Sequence, residues 1–145
     1  VVFLPMRERL YSAALGEGTR LNDAPVRASD VATLETAQVL ATKPSMQPDH
    51  WRSPMPELQR SHRPSIAYRL GLVAEGRFDA MLTLRPSWEW DIAAGALLLS
   101  EAGAMISDRT GQPIRFNAPH PKHDGVVAAN PALHGEIIGR LRQSR

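Results

Sequence analysis

Asp91 is the residue whose type and place most invite chemistry. It follows Trp90 at the head of an apolar run, Ile92-Ala93-Ala94-Gly95-Ala96-Leu97-Leu98-Leu99, with no further charge until Glu101. The N-terminus of a helix carries unpaired N–H groups and a partial positive charge, so a carboxylate there stays ionised. Such a group either caps its helix or, on a rigid element, holds a metal ion or orients a phosphate, and the residues alone leave both readings open. Ser65 poses the same choice. After Arg63-Pro64 it heads a second helical pattern, where its hydroxyl is an N-cap or part of a pocket wall. Arg85 lies between the two, and its fork of donors suits a phosphate group, the alternative being an ordinary surface arginine. The five histidines, at 50, 62, 120, 123 and 134, lack zinc-ligand spacing. Only His120 and His123 are close, and they read as part of a solvated loop.

The elements that must position these residues follow from pattern and punctuation. The run from Trp90 to Ala102 exceeds a typical strand, so it reads as a helix. With eight apolar residues in a row, three of them Ala and one Gly, that helix is expected to be buried all round and closely approached. Gly103 sits at its left-handed C-terminal position, and Ala104-Met105-Ile106 begins a strand. Ile66, Leu70 and Val73 fall at i, i+4 and i+7, which predicts a helix over 64–76 closed by Gly76. A strand over 78–84 joins the two helices. Val126–Ala129 reads as a last strand, and Asn130-Pro131 as a cap and first position of a helix to Arg142. Earlier in the chain, Val1–Leu4 and Leu10–Leu15 read as a hairpin, with turns at Glu17-Gly18 and at Asn22-Asp23 before Val26. No helix start follows those glycines, so no phosphate-cradling loop is expected. Residues 35–41 read as a strand, and 49–59 as a short helix broken by prolines. The result is an α/β pattern, a layered mixed β-sheet flanked by helices. Ligands in such sheets gather outside strand ends and at helix N-termini, where Ser65 and Asp91 stand.

The whole chain sets bounds. Its 145 residues, 43% of them hydrophobic, suffice for one domain with a real core. The net charge is +2 and the isoelectric point near 9.5, with arginines scattered rather than blocked, so no nucleic acid polymer is implied as partner. The absence of cysteine excludes disulfides and thiolate metal sites. No apolar run reaches the length of a membrane span and no leader pattern opens the chain, so a cytoplasmic location is the default expectation. A homodimer stays open.

Trp90-Asp91-x-Ala93-Ala94-Gly95, then Glu101-Ala102-Gly103 and Asp108-Arg109-Thr110-Gly111, resemble the second signature of the inositol monophosphatase family of metal-dependent phosphomonoesterases. Val127-Ala128-Ala129-Asn130-Pro131 resembles that family's last strand and final helix start. The Gly16-to-Ser29 stretch resembles its glycine-rich turn region, and only residues 42–62 match loosely. The resemblance implies that Asp91 is a Mg²⁺ ligand. It places Ser65 in the substrate-lining turn, with Pro64 where a glycine is usual. Thr83 falls near a glutamate that inositol-specific members use on a sugar hydroxyl, so its loss argues against myo-inositol 1-phosphate. Arg85 would then meet a second phosphate. The stretch from Arg63 to Asp91 is also similar to bacterial 3′(2′),5′-bisphosphate nucleotidases, which implies adenosine 3′,5′-bisphosphate as the small phosphorylated metabolite. Substrate-binding residues are therefore expected at Asp91, Ser65, Thr83 and Arg85. The family's other carboxylates belong to motifs absent from this chain, so no catalytic residue is expected within it. On this reading the chain is the C-terminal part of the enzyme, inactive alone. Residues 1–30 form a β-hairpin region continuing a missing N-terminal domain, and 31–145 form the C-terminal α/β domain. A non-catalytic α/β module is the contrasting expectation.

Overall fold

Short apolar stretches separated by turn residues build the first layer. The computed structural model describes residues 1–52 and 54–142. Val2–Leu4 (β1) and Arg9–Ala14 (β2) pair antiparallel, Val2 opposite Tyr11, across a 3-10 turn at Pro5–Arg7. Gly18–Leu21 (β3) and Ala24–Val26 (β4) extend this hairpin into a four-stranded antiparallel sheet. Asn22 and Asp23 turn the chain between β3 and β4 with φ of 47° and 66°, a geometry that two-residue hairpins favour and these residue types tolerate.

In chain order there follow Gln38–Ala41 (β5), Gln59–Ser61 (β6), the helix Ile66–Ala74 (α1), Ala80–Thr83 (β7), Ser87–Trp88 (β8), the helix Glu89–Glu101 (α2), Met105–Ser107 (β9), Lys122–His123 (β10), Val126–Ala129 (β11) and the helix Pro131–Arg140 (α3). Five of these strands form a mixed sheet in the order β6-β5-β7-β11-β9. β5 runs parallel to both β6 and β7, while β11 is antiparallel to β7 and β9. All four residues of β7 and of β11 are buried, as central strands covered on both faces require.

Strand alternation divides the apolar residues between two cores. Leu40, Met81, Val126 and Ala128 face α1 and α2, and the same core takes in Tyr11 of the four-stranded sheet. Val39, Ala41, Ala80, Leu82, Val127 and Ala129 face Leu133 and Ile137 of α3, together with Trp51 and Leu141. The layers are thus a four-stranded sheet, α1 with α2, the five-stranded sheet, and α3. Helices do lie on both sides of the mixed sheet. Tyr11 anchors the first layer: its hydroxyl donates to Glu75 Oε1 at 3.2 Å and accepts from Arg9 Nε at 3.0 Å, and Arg9 also pairs with Glu75. Burial pushes the Tyr11 phenol up to about 12.

Caps are as the residue types demand. Asn130 accepts from Leu133 N at 3.1 Å ahead of Pro131, and its amide donates to the carbonyls of Ser29 and Val31. Gly76 and Gly103 follow α1 and α2 with φ of 73° and 81°.

Four expectations need correction. The helix over 49–59 does not form: the chain makes 3-10 turns at Lys43–Met46 and Pro48–His50, and position 53 lies outside the described residues. Pro44, Pro48, Pro54 and Pro56 remove too many donors for an α-helical ladder. The strand over 35–41 shortens to β5, because residues 34–36 form a turn. α2 is not buried all round, since Trp90 (66% exposed) and Leu97, seven positions apart, lie on an exposed face of the helix. His123 is not in a solvated loop but in β10, half-buried, with its ring edge-on to Phe116.

Candidate functional site

The N-termini of α1 and α2 and the end of β7 open onto one cleft of about 570 Å³. Ser65, Thr83, Arg85 and Asp91 all line it, together with His62, Arg63, Arg69, Trp88 and Trp90. What brings them together is the contact between α1 and α2. At Gly95 a methyl group would stand 2.4 Å from Leu70 Cδ1 and 2.7 Å from Leu70 Cβ. The bare backbone of Gly95 therefore lets the two helices close up and sets their N-termini side by side.

Asp91 stands in the first turn of α2, but the N-cap is Trp88, which makes no side-chain capping bond. Among the described residues the Asp91 carboxylate accepts no hydrogen bond and pairs with no cation, and it is exposed to the cleft. The capping role is instead unfilled, and both carboxylate oxygens remain available. Glu89, two residues earlier, is different. Its buried carboxylate accepts from Asn117 N at 2.7 Å and Ala118 N at 3.2 Å, which ties down the loop before β10.

Ser65 does cap α1, its Oγ accepting from Tyr68 N at 3.4 Å. Its own backbone is in the left-handed region, φ 63°, a conformation that costs on the order of 1–3 kcal/mol for a residue with a Cβ. Pro64 precedes it, and both residues line the cleft. Thr83 is 2% exposed at the end of β7, opposite Val126. Gly125 is packed against this strand end so closely that a Cβ would stand 2.8 Å from the Thr83 carbonyl oxygen. Arg85 is exposed, and among the described residues its guanidinium has no hydrogen-bond or ion-pair partner.

Sequence reasoning missed Arg69. It is 5% exposed, Nε donates to the Ser65 carbonyl at 3.3 Å, and among the described residues Nη1 is buried with no partner. Burial first, and then the like charge of Arg85, hold the Arg69 guanidinium below the usual arginine range. A buried cation with an unused donor is costly unless something anionic meets it. The signal was present: Arg69 is the one charge in a helix that is otherwise apolar from Ile66 to Ala74 apart from Tyr68. The sequence alone also assigned no role to Trp88. The Trp88 and Trp90 rings stack at the mouth, centroids 4.7 Å apart and 11° from parallel. Three arginines against one aspartate make the cleft cationic.

A family model described as the inositol monophosphatase family matches residues 1–145. An inositol-1-monophosphatase of Bacillus subtilis is 29% identical over 153 aligned residues, covering all of this chain and 56% of that protein. The Nus factor SuhB of Escherichia coli is 31% identical, covering 98% of this chain and 54% of its own length. Among solved structures, the extragenic suppressor protein suhB of Bartonella henselae superposes with a TM-score of 0.76 at 25% identity, over 93% of this chain and 54% of that one. The chain spans about half the length of these relatives.

Proposed function

This chain belongs to the inositol monophosphatase family, and on that premise we propose that it forms one wall of a Mg²⁺-dependent phosphomonoesterase site acting on a small phosphorylated metabolite. The observation that carries this reading is the pairing, in one cleft, of a carboxylate with no bonding partner (Asp91) and a buried guanidinium with an unused donor (Arg69). One suits a cation and the other an anion, and a metal–phosphate ligand is both.

Asp91 fits Mg²⁺ as one oxygen ligand, since this ion takes one or two carboxylates together with substrate phosphate and water. It does not suffice: among the described residues no three His, Asp or Glu side chains gather to hold a metal. On this reading a Mg²⁺ site needs further oxygen ligands beside Asp91. Bound there, Mg²⁺ supplies charge neutralisation and an activated water. The chain's own contribution is positioning. Arg69 and Arg85 draw phosphate oxygens to the wall, and the strained turn at Ser65 presents its hydroxyl beside them. Thr83, uncharged and buried, offers a neutral floor in place of a carboxylate that would repel a second phosphate.

Two arginines on the wall favour a doubly phosphorylated substrate, and adenosine 3′,5′-bisphosphate is the specific substrate proposed. Inositol 1-phosphate is the second reading, favoured by the Bacillus relative's name. Phosphate release by the full-length protein with Mg²⁺ decides between them. Faster release from adenosine 3′,5′-bisphosphate supports the first, and faster release from inositol 1-phosphate overturns it. No Mg²⁺-dependent release from either sinks the enzyme reading and leaves a non-catalytic module.

A further inference from the structure

The cleft has an aromatic end as well as a cationic one, and the two have different free valences. Trp88 is occupied on both faces. Trp90 stacks on one at 4.7 Å, and Lys122 Nζ lies 4.7 Å from the Trp88 ring centroid, a distance that leaves it no room between the two indoles. The stack therefore runs Lys122, Trp88, Trp90, and the open face is that of Trp90, which is 66% exposed. β8 and β10 fix this arrangement, because Lys122 is registered opposite Trp88 in their two-residue pairing. Trp90 in turn is held by the first turn of α2, immediately before Asp91.

We propose that the outer face of Trp90 is the stacking platform for the nucleobase of a phosphorylated nucleoside, whose phosphate is met by Arg69. This rests on the phosphomonoesterase reading and names the part of the substrate that does not react. Three features of the cleft carry it. A flat indole backed by a second indole is already ordered, so a base stacking on it loses little to immobilising the protein. The same cleft holds Arg69, nine-tenths buried with Nη1 unpartnered, so the ligand that fills it carries an anion as well as a ring. The volume of about 570 Å³ lies in the range of sites for ligands larger than a bare phosphate. Indole stacking tolerates any base, so this surface selects for a nucleotide over a polyol phosphate and not for one base over another.

The test uses the full-length protein without Mg²⁺, so that binding is read apart from turnover. Adenosine 3′,5′-bisphosphate and inositol 1,4-bisphosphate are titrated against the wild type, Trp90→Leu and Trp90→Phe, with tryptophan fluorescence and calorimetry as readouts. Adenosine 3′,5′-bisphosphate is expected to quench the wild-type emission. Trp90→Leu should weaken its binding about tenfold, Trp90→Phe should restore most of it, and neither should change the affinity for inositol 1,4-bisphosphate. Equal weakening of both ligands, or none of the nucleotide, overturns the platform. An unchanged KM for nucleotide hydrolysis in Trp90→Leu also overturns it while leaving the phosphatase reading intact. Selective loss of nucleotide binding in a protein that hydrolyses nothing upholds the platform and removes the phosphatase.

Discussion

The two ends of α2 each carry a carboxylate and use it in opposite ways. At the C-terminal end Glu101 accepts from Gly16 N at 3.0 Å and Gly18 N at 2.9 Å, clamping the β2–β3 turn onto the helix. Those two backbone donors hold its carboxyl below the usual glutamate range. At the N-terminal end Asp91, on a helix dipole that would reward a local bond, makes none among the described residues and faces a cleft. One lone-pair set is used up inside the fold and the other is left over. The lesson is that the residue type does not mark a functional carboxylate; its unused bonding capacity does, once the helix is rigid and the neighbours are cationic. Arg9 and Arg69 repeat the contrast. Arg9 is engaged through Nε by Tyr11 and through Nη2 by Glu75, whereas among the described residues Arg69 keeps a buried donor idle in the cleft.

The largest effect expected is at Asp91. Asp91→Asn should lower Mg²⁺-dependent phosphate release by the full-length protein by more than about a hundredfold, since even outer partners of a metal ligand are worth 10–100-fold. Its thermal midpoint should stay close to wild type. Retained activity at the same Mg²⁺ concentration would place Asp91 with Glu101, among the structural carboxylates.

Gly95→Ala should cost about 1–3 kcal/mol in a urea titration, the range for forcing atoms into a packed contact, because Leu70 is backed by core on every other side. Activity lost in excess of stability would show that the α1–α2 spacing also sets the cleft.

Arg69→Met sharpens the arginine comparison. Competition by inorganic phosphate should weaken about tenfold, the range of one charge-assisted hydrogen bond, while stability holds or rises as a desolvated charge is removed. Arg9→Met should do the reverse. A destabilised Arg69→Met with unchanged phosphate affinity would make the two arginines alike.

The smallest effect concerns pH. Because Glu101 has a folded pKa below its ordinary value of 4.5, its contribution is fully present above that value and is lost as pH falls through the lower, folded one. Glu101→Gln should therefore narrow the difference in melting temperature between pH 6 and pH 3.5, with activity at neutral pH unchanged. His134 acts in a higher window. Burial lowers its pKa from 6.5, so its neutral, Ser107-bonded form favours folding above that pH and the contribution is lost as pH falls below it. A melting curve unchanged between pH 7.5 and pH 5.5 would count against this.

Much of the fold was legible because caps and stripes are local. Ser65, Gly76, Gly103 and Asn130-Pro131 ended helices where their chemistry said they should. The stripe Ile66, Leu70, Val73 pointed to a helix whose inward face packs against Tyr11 and Met81. The helix expected over 49–59 does not form because the order of this segment depends on distant partners: Trp51 is buried against Leu141, and Arg52 N donates to the Arg140 carbonyl. Local propensity cannot see a bond ninety residues away.

Local sequence pattern carried the three α-helices, the central strands β7 and β11, the family motif around Trp90-Asp91, and the residue types available for phosphate chemistry. These are matters of periodicity, φ preference and side-chain inventory, all carried within a few residues. Tertiary structure alone decided which polar groups were satisfied. It brought Arg69 and Arg85 into one cleft, left Trp90 exposed, and put Gly16 and Gly18 in hydrogen-bond range of Glu101, while among the described residues no hydrogen bond reaches the Asp91 carboxylate. Satisfaction of a hydrogen-bonding group is a property of its neighbours in space, and those neighbours come from segments up to 102 positions away, as where Leu34 N donates to Glu136.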